Sequence, residues 1–169
     1  MVVKVAINGF GRIGRNILRA VVESGRTDLE IVAINDLGPT EVNAHLLEFD
    51  SIHGRFTKDI KTTKNSIIIG EMEIEVTAIK QPAELPWRHI DIAMECTGIF
   101  TSIEKASSHI NSGAKKVVIS APSQDAPMFV MGVNHNNAKS SDVIVSNASC
   151  TTNCLAPIAK VLNDNFGIE

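Results

Sequence analysis

The stretch VAINGFGRIG, residues 5–14, decides the fold, because it joins a buried apolar run to a turn that contains three glycines. Residues 2–7 form a β-branched run interrupted by one lysine, which is typical of a strand in a parallel sheet. From Arg12 to Glu23 apolar residues recur at helical spacing, and Ser24-Gly25 supplies a stop. A second strand is predicted at 29–34. The opening segment therefore predicts a strand-helix-strand unit with a right-handed crossover.

The glycine turn has the spacing G-x-G-x-x-G of dinucleotide-binding sites. Gly9 allows the tight turn, Gly11 lets a diphosphate approach the backbone, and Gly14 allows close packing of helix on strand. The backbone N–H groups near Arg12 and Ile13 have no acceptor within the helix, and the helix dipole favours negative charge there. Three glycines alone also fit an ordinary turn. Their place between a strand and a helix predicts a dinucleotide site.

Asp36 ends the second predicted strand, about 22 residues beyond Gly14, which is close to the spacing at which an acidic residue reaches ribose hydroxyls. Its carboxylate would repel a 2′-phosphate, so the sequence favours NAD over NADP. The alternative is that Asp36 only caps the turn that follows it.

The rest of the chain continues the alternation of strands and helices. The pattern predicts a helix at 40–49, a hairpin at 66–79, strands at 90–95, 116–120 and 142–146, and helices at 102–112 and 153–166. We therefore expect an α/β fold of the Rossmann type, doubly wound around a mostly parallel sheet. Residues 1–148 are predicted to form the cofactor domain, and 149–169 the nucleophile segment and first helix of a truncated catalytic domain. That last helix has an apolar stripe which needs a covering partner.

Composition excludes several classes of function. The 169 residues are 44% hydrophobic and carry a formal net charge of -3, with both signs interspersed and no block of one sign. This pattern favours neither a nucleic-acid partner nor a membrane surface. No apolar run is long enough to span a bilayer, so a cytoplasmic protein is expected. Three cysteines are too few for a secreted disulfide framework.

Cys150 is the candidate nucleophile. It lies after the last predicted strand, near the start of a helix, where the dipole and unpaired amides favour a thiolate. Ser149, Thr151 and Thr152 place hydroxyl groups around it. Cys154 is interpreted as a deeper, structural thiol. The Cys-x-x-x-Cys spacing could also indicate a metal site, but the sequence offers no second pair of ligands, so no metal is predicted.

Five segments together resemble the glyceraldehyde-3-phosphate dehydrogenase family. They are SNASCTTNCLAP at 146–157, VAINGFGRIGR at 5–15, DSIHGRF at 50–56, ECTG at 95–98 and SAPS at 120–123. Cys96, in the fourth segment, is interpreted as a buried thiol at the end of an apolar strand. The resemblance extends over the whole chain, in the order of the family's motifs.

The resemblance implies a cytoplasmic, glycolytic, NAD-dependent enzyme that uses an aldose phosphate and inorganic phosphate. Cys150 would be the catalytic nucleophile, and Ser149 and Thr151 would bind oxygens of the substrate or of phosphate. The cofactor would contact the amides of Arg12 and Ile13. The other implied cofactor contacts are Gly9, Gly11, Gly14, Asp36, Lys80, Thr97, Gly98 and Ser120. The family commonly has an arginine at position 80, so a lysine there loses planar stacking.

The resemblance also implies a homotetramer, and a catalytic histidine downstream of Glu169. The five histidines present are interpreted as surface or packing residues, so we expect the chain alone to be almost inactive. Two other interpretations stay open. One is erythrose-4-phosphate dehydrogenase, although Asn35-Asp36 favours the glyceraldehyde enzyme. The other is a nucleotide-binding module without catalysis.

Overall fold

The structure is a computed structural model that describes residues 2–169. Over that range the helices are α1 (Arg12–Glu23), α2 (Thr40–Glu48), α3 (Ile103–Ser112) and α4 (Cys150–Phe166). The strands are β1 (Val3–Asn8), β2 (Leu29–Asn35), β3 (Phe49–Asp50), β4 (Gly54–Arg55), β5 (Ile60–Thr62), β6 (Ser66–Ile69), β7 (Met72–Thr77), β8 (Ile92–Glu95), β9 (Lys116–Ile119) and β10 (Ile144–Ser146). Among these residues, no helix combines the length and apolar character needed to cross a membrane.

Eight strands form one sheet in the order β10-β9-β8-β1-β2-β7-β6-β5. The pairs from β10 to β7 are parallel, while β5, β6 and β7 pair antiparallel at one edge. The chain leaves β1 toward β2 on one side and later returns to β8 on the other. Ligands in such sheets bind beyond the carboxyl ends of the strands where the direction changes. In this fold that place is the gap above β1 and β8. The expected α/β, mostly parallel architecture is confirmed.

Hydrophobic cores cover both faces of the sheet. Neighbouring residues of a strand point to opposite faces, and Ile7 belongs to one core while Ala6 belongs to the other. The first core packs beneath α1 and α2 and contains Leu18 and Leu47. The second contains Trp87 and packs beneath α3. This double layer fixes the strand ends that form the site.

Close packing of α1 against β1 depends on Gly14. A methyl group built there would lie 2.3 Å from the carbonyl oxygen of Gly9 and 3.0 Å from the Cγ2 of Ile7. Real Cβ atoms essentially never approach closer than 3.0 Å. The helix therefore approaches the strand more closely than any side chain at position 14 permits, as the glycine spacing predicted.

Arg19 joins α1 to the segment after α2. Its buried guanidinium donates hydrogen bonds of 2.8 to 3.0 Å to the carbonyl oxygens of Leu47, Glu48 and Gly54, and it stacks on the ring of Phe56 at 5.3 Å. A buried charge is tolerated only with such complete pairing. Arg19 thus holds the loop beside the start of α1.

The element boundaries differ from prediction at one important point. The last helix begins at Cys150 rather than at residue 153, because the Ser149 side chain caps it by accepting from the backbone N–H of Thr152 at 2.9 Å. The predicted strands at 90–95 and 142–146 are shorter, starting at Ile92 and Ile144. The expected helix at α2 and the hairpin of β6 and β7 are present.

Candidate active site

A cleft of about 500 Å³ opens above the carboxyl ends of β1, β2 and β8. The glycine turn lines it through Gly9 and Gly11. The remaining lining residues are Asn8, Asn35, Asp36, Leu37, Ile79, Lys80, Gln81, Cys96, Thr97, Ile99 and Phe100. The cleft lies where the direction of winding changes, which is the place that the topology assigns to a ligand.

The glycine turn leaves open backbone at the edge of the cleft. Gly9 has φ +89, and a methyl group there would lie 2.8 Å from the backbone nitrogen of Thr97, so the position requires glycine. Gly11 caps α1, and a methyl group there would meet no atom within 4 Å. The space above Gly11 is therefore free for a group that approaches the backbone. The helix dipole favours an anion at that point.

Asp36 places its carboxylate beside this turn. One oxygen accepts from the N–H of Phe10 at 2.8 Å, and the other accepts from the N–H of Gly38 at 2.9 Å. The carboxylate is thus held by the backbone of the glycine turn and of the loop after β2. It is an oriented acceptor for hydroxyl groups, and it repels a further negative charge.

The floor of the cleft is a row of buried polar side chains. Asn35, Asn8 and Glu95 end β2, β1 and β8, and strand register sets them side by side. Asn35 donates to Asn8 at 2.8 Å, and Asn8 donates to Glu95 at 2.7 Å. His109 on α3 lies 2.7 Å from the same Glu95 oxygen. Glu95 and His109 are 1% and 0% exposed, so this row is part of the interior beneath the site.

Cys96 borders the cleft beside this row. Burial raises the pKa of its thiol to about 11, although a hydrogen bond with Ser120 opposes that rise. It is partly buried rather than fully buried as the sequence suggested. Such a thiol is a poor nucleophile at neutral pH.

Cys150 lies apart from the floor, at the start of α4, and its side chain is exposed. Cys150 follows β10, which is the third strand from β1 in the sheet. Three strand spacings of about 4.8 Å put β10 about 14 Å from β1, whose end carries the glycine turn. Ser149 caps the helix, and its hydroxyl also lies 2.7 Å from that of Thr152. Asn153 donates to the carbonyl oxygens of Asn147 and Ser149 at 2.7 and 2.9 Å. The turn that carries Cys150 is therefore closely held.

Ala148 gives this turn its direction. It has φ 62, and it is the one non-glycine residue among residues 2–169 with a positive φ. Its N–H donates to the hydroxyl of Ser146 at 3.0 Å, and the side chain is buried. This conformation costs on the order of 1 kcal/mol for an alanine. This left-handed conformation turns the chain sharply, so that Cys150 begins α4 four residues after the end of β10.

The interpretation of Cys154 as a deeper, structural thiol is wrong. Its side chain is exposed, like those of Leu155, Ile158 and Phe166 on the same helix. The apolar neighbours suggested burial, but within residues 2–169 no element packs over this face of α4. Both thiols of α4 are accessible.

Arg12 is held away from the cleft by Asp50. Its Nη1 lies 3.1 Å from one Asp50 oxygen, while the other oxygen accepts from the N–H groups of His53 and Ile52 at 2.9 and 2.8 Å. These backbone donors, and then Arg12, lower the pKa of Asp50 to about 2. The Arg12 side chain thus braces the loop after β3, while its backbone lies in the first turn of α1.

The structure brings five predicted cofactor residues together in the cleft: Gly9, Gly11, Asp36, Lys80 and Thr97. Other predicted residues lie outside the lining: Arg12, Ile13, Gly14, Gly98, Ser120, Ser149, Cys150 and Thr151. Sequence reasoning missed Asn8, Asn35 and Glu95, which the register aligns. Among residues 2–169, no group of three or more His, Cys, Asp or Glu side chains is placed to hold a metal ion.

Comparison with known proteins agrees with this geometry. The family described as "Glyceraldehyde 3-phosphate dehydrogenase, NAD binding domain" matches residues 3–103, and the corresponding "C-terminal domain" family matches residues 149–169. A glyceraldehyde-3-phosphate dehydrogenase of Xanthobacter flavus is 62% identical over 172 residues, covering 100% of this chain and 51% of its own length. One from Cereibacter sphaeroides is also 62% identical, over 99% of this chain and 51% of its own length.

A more distant relative shares the same name. The glyceraldehyde-3-phosphate dehydrogenase of Coccidioides posadasii is 54% identical over 99% of this chain and 50% of its own length. The chain thus spans about half the length of the curated relatives it matches. The matched NAD-binding domain contains the glycine turn, Asp36 and the other residues that line the cleft. This chain therefore belongs to the glyceraldehyde-3-phosphate dehydrogenase family.

Proposed function

We propose that this chain binds NAD in the cleft above the glycine turn and presents Cys150 as the nucleophile of a phosphorylating glyceraldehyde-3-phosphate dehydrogenase. One observation carries the proposal: the open backbone of Gly11 and the oriented carboxylate of Asp36 share one cleft. These two features match the diphosphate and a ribose of a dinucleotide.

The walls of the cleft fit the remainder of that cofactor. Leu37 and Ile99 are apolar and exposed, at 66% and 64%, and both line the cleft. Exposed apolar side chains in a cleft favour a flat apolar ring between them. Lys80 adds a positive charge at the rim and Thr97 a hydroxyl near the turn. Gly98 and Ser120 are proposed as further contacts because of family membership.

Asp36 supports NAD rather than NADP. A 2′-phosphate would lie against a carboxylate that two backbone N–H groups hold in place. Asp36→Ala should therefore weaken NAD binding and narrow the difference between NAD and NADP.

In the proposed reaction, the Cys150 sulfur forms a bond to the aldehyde carbon, and the aldehyde oxygen takes up a proton. Bound NAD supplies the acceptor for hydride. The carbon then loses its hydrogen with both electrons, the oxygen loses its proton to a base, and a thioester remains on Cys150. An oxygen of inorganic phosphate attacks this thioester. The C–S bond breaks, which releases an acyl phosphate and restores the thiolate.

The residues around Cys150 fit the binding of oxygen atoms in these steps. The first N–H groups of α4 have no acceptor within the helix. Backbone N–H groups so placed stabilise an oxyanion. The hydroxyl groups of Ser149 and Thr151 are proposed to bind phosphate oxygens. The general base is proposed to lie outside this chain, since none of the five histidines lines the cleft, His109 is buried on Glu95, and His135 accepts from the N–H of Gly132.

Two measurements test the proposal. Calorimetric titration of this chain should show binding of NAD, and weaker binding of NADP. Turnover of glyceraldehyde 3-phosphate should be about 10²–10⁴-fold below that of the full-length Xanthobacter flavus relative, because general acid-base catalysis is missing. No NAD binding would contradict the cofactor assignment. Turnover equal to that of the relative would contradict the missing base.

The same assay separates the substrates. Faster turnover of erythrose 4-phosphate than of glyceraldehyde 3-phosphate by this chain, or turnover independent of phosphate, would favour erythrose-4-phosphate dehydrogenase. Binding of NAD without any reaction at Cys150 would favour a nucleotide-binding module. A homotetramer is part of the proposal through family membership, and light scattering on this chain tests it.

A further inference from the structure

We propose that Glu95 is a positioning residue which orders both walls of the cleft through the buried row. This inference rests on the proposed function, since it concerns how the chain holds the cleft in the form that accepts NAD. Glu95 has no place in the reaction described above. It is 1% exposed and lies below the cleft surface.

Glu95 holds one wall directly. One carboxylate oxygen accepts from the backbone N–H of Thr97 at 2.8 Å and from the Thr97 hydroxyl. That hydroxyl in turn accepts from the N–H of Ile99 at 3.1 Å. The loop 97–99, in which Thr97 and Ile99 line the cleft, is therefore fixed to a carboxylate that belongs to β8.

The other carboxylate oxygen of Glu95 also has hydrogen-bond partners. It accepts from the side-chain amide of Asn8 at 2.7 Å and lies 2.7 Å from Nε2 of His109. His109 is held over Trp87, with ring centroids 5.2 Å apart. Among the described residues its Nδ1 has no partner, so a ring with its proton on Nε2 leaves no buried donor unpaired. All the groups that face Glu95 then donate, and none accepts.

This arrangement sets the direction of the amides along the row. Asn8 turns its nitrogen to Glu95, so its oxygen faces Asn35 and accepts from that amide at 2.8 Å. The Asn35 oxygen then points to the opposite wall. There it accepts from the N–H of Ile79 at 2.8 Å and from the hydroxyl of Thr77 at 2.9 Å. The Asn35 nitrogen also donates to the carbonyl oxygen of Ile79 at 2.8 Å, so Glu95 and Ile79 hold opposite ends of one row and require the same direction of its amides.

Glu95→Gln tests this control because it keeps the size and changes one acceptor into a donor. With its oxygen toward Thr97, the new amide nitrogen faces the donor of Asn8. Rotation of Asn8 would set its nitrogen against the Asn35 nitrogen, and rotation of Asn35 would set its nitrogen and oxygen against the N–H and the carbonyl oxygen of Ile79. Leaving a buried donor unpaired lowers an equilibrium constant by about 5–150-fold. We expect NAD affinity to fall by about 5–150-fold.

A purely structural role makes a different prediction, and Val117→Ala is the matched control. Val117 is 0% exposed in the core on the α3 side and does not line the cleft. Its truncation should lower thermal stability without changing NAD affinity of the folded protein. Native-state hydrogen exchange should show faster exchange of the Ile79 amide in Glu95→Gln, but not in Val117→Ala.

The double variant Asn8→Asp/Glu95→Gln provides a rescue. The carboxylate introduced at position 8 would accept both from Asn35 and from the new amide at position 95, so the Asn35 oxygen again faces Ile79. We expect the double variant to fold and to restore protection of the Ile79 amide. Failure of the double variant to fold, or unrestored protection, overturns the inference, even if the single variant is too unstable to study. Unchanged NAD affinity and unchanged exchange in Glu95→Gln overturn it as well.

Failure of the proposed function is recognised separately. If the unsubstituted chain binds no NAD, the cofactor assignment fails. The exchange measurements at Ile79 then still decide whether Glu95 sets the direction of the row.

Discussion

Substitution of two glycines that are three positions apart should separate packing from binding at the turn. In Gly14→Ala the new methyl group lies 2.3 Å from the Gly9 oxygen. Helix and strand must separate by about 1.1 Å before the ordinary contact distance of 3.4 Å is reached, and overpacking of this kind costs about 2–3 kcal/mol. The better helix propensity of alanine returns about 1 kcal/mol. The net loss of about 1–2 kcal/mol should lower the melting temperature by about 5 °C.

Gly11→Ala is the matched comparison, because its methyl group meets no atom within 4 Å and projects from a residue that lines the cleft. Its stability should stay within about 0.5 kcal/mol of the unsubstituted chain, since the poorer N-cap preference of alanine is offset by the lower conformational entropy that alanine leaves in the unfolded chain. NAD affinity should nevertheless fall at least about tenfold, because the methyl group occupies the space of a phosphate.

Thermal unfolding followed by circular dichroism, together with calorimetric titration of NAD, measures both effects. Equal destabilisation by the two substitutions would refute the packing argument. Undiminished NAD affinity in Gly11→Ala would refute the placement of the diphosphate above this turn.

Three further predictions concern residues outside the cleft floor. Iodoacetamide at pH 7.5 should alkylate both thiols of α4 rapidly and Cys96 slowly, because burial raises the pKa of Cys96 to about 11; peptide mass spectrometry on the native chain checks this, and equal rates would contradict it. Asp50 has a lowered pKa of about 2 against an ordinary 3.8, so its contribution to stability is present above pH 3.8 and is lost as the pH falls toward 2. Hydrogen exchange of the backbone amides of Ile52 and His53, which donate to Asp50, should become faster over that range. Asp50→Asn should remove this pH dependence. Arg19→Ala should cost about 3 kcal/mol of unfolding free energy, because it removes the hydrogen bonds that the buried guanidinium donates to the carbonyl oxygens of Leu47, Glu48 and Gly54. Arg26→Ala at the surface should cost less than about 0.5 kcal/mol, and urea denaturation compares the two.

The first strand-helix-strand unit could be predicted closely because local chemistry specifies each part of it. The helical periodicity of 12–23 and the glycines of the turn do not depend on distant residues, and α1 has the predicted bounds. The strands β3, β4 and β5 were missed since two or three residues carry too little pattern. The start of α4 was placed late because threonine and cysteine are weak helix formers, and the Ser149 cap outweighs that preference.

The buried row was invisible for another reason. Asn8 and Glu95 are 87 positions apart, and Asn8 and Asn35 are 27 apart. Only the register of three parallel strands brings them together, and no local pattern encodes that register. Cys154 shows the converse limit. Its apolar neighbours are visible in the sequence, but burial depends on which element packs over them.

The left-handed turn at Ala148 restricts the sequence changes that its position tolerates. A β-branched residue there would meet a severe steric penalty, while glycine and asparagine adopt the conformation readily. Saturation mutagenesis of codon 148, selected for a folded product, should therefore return only a few residue types. Exposed positions of the same chain should accept many more. The backbone geometry at one buried position thus limits which sequences can place a cysteine at the start of α4.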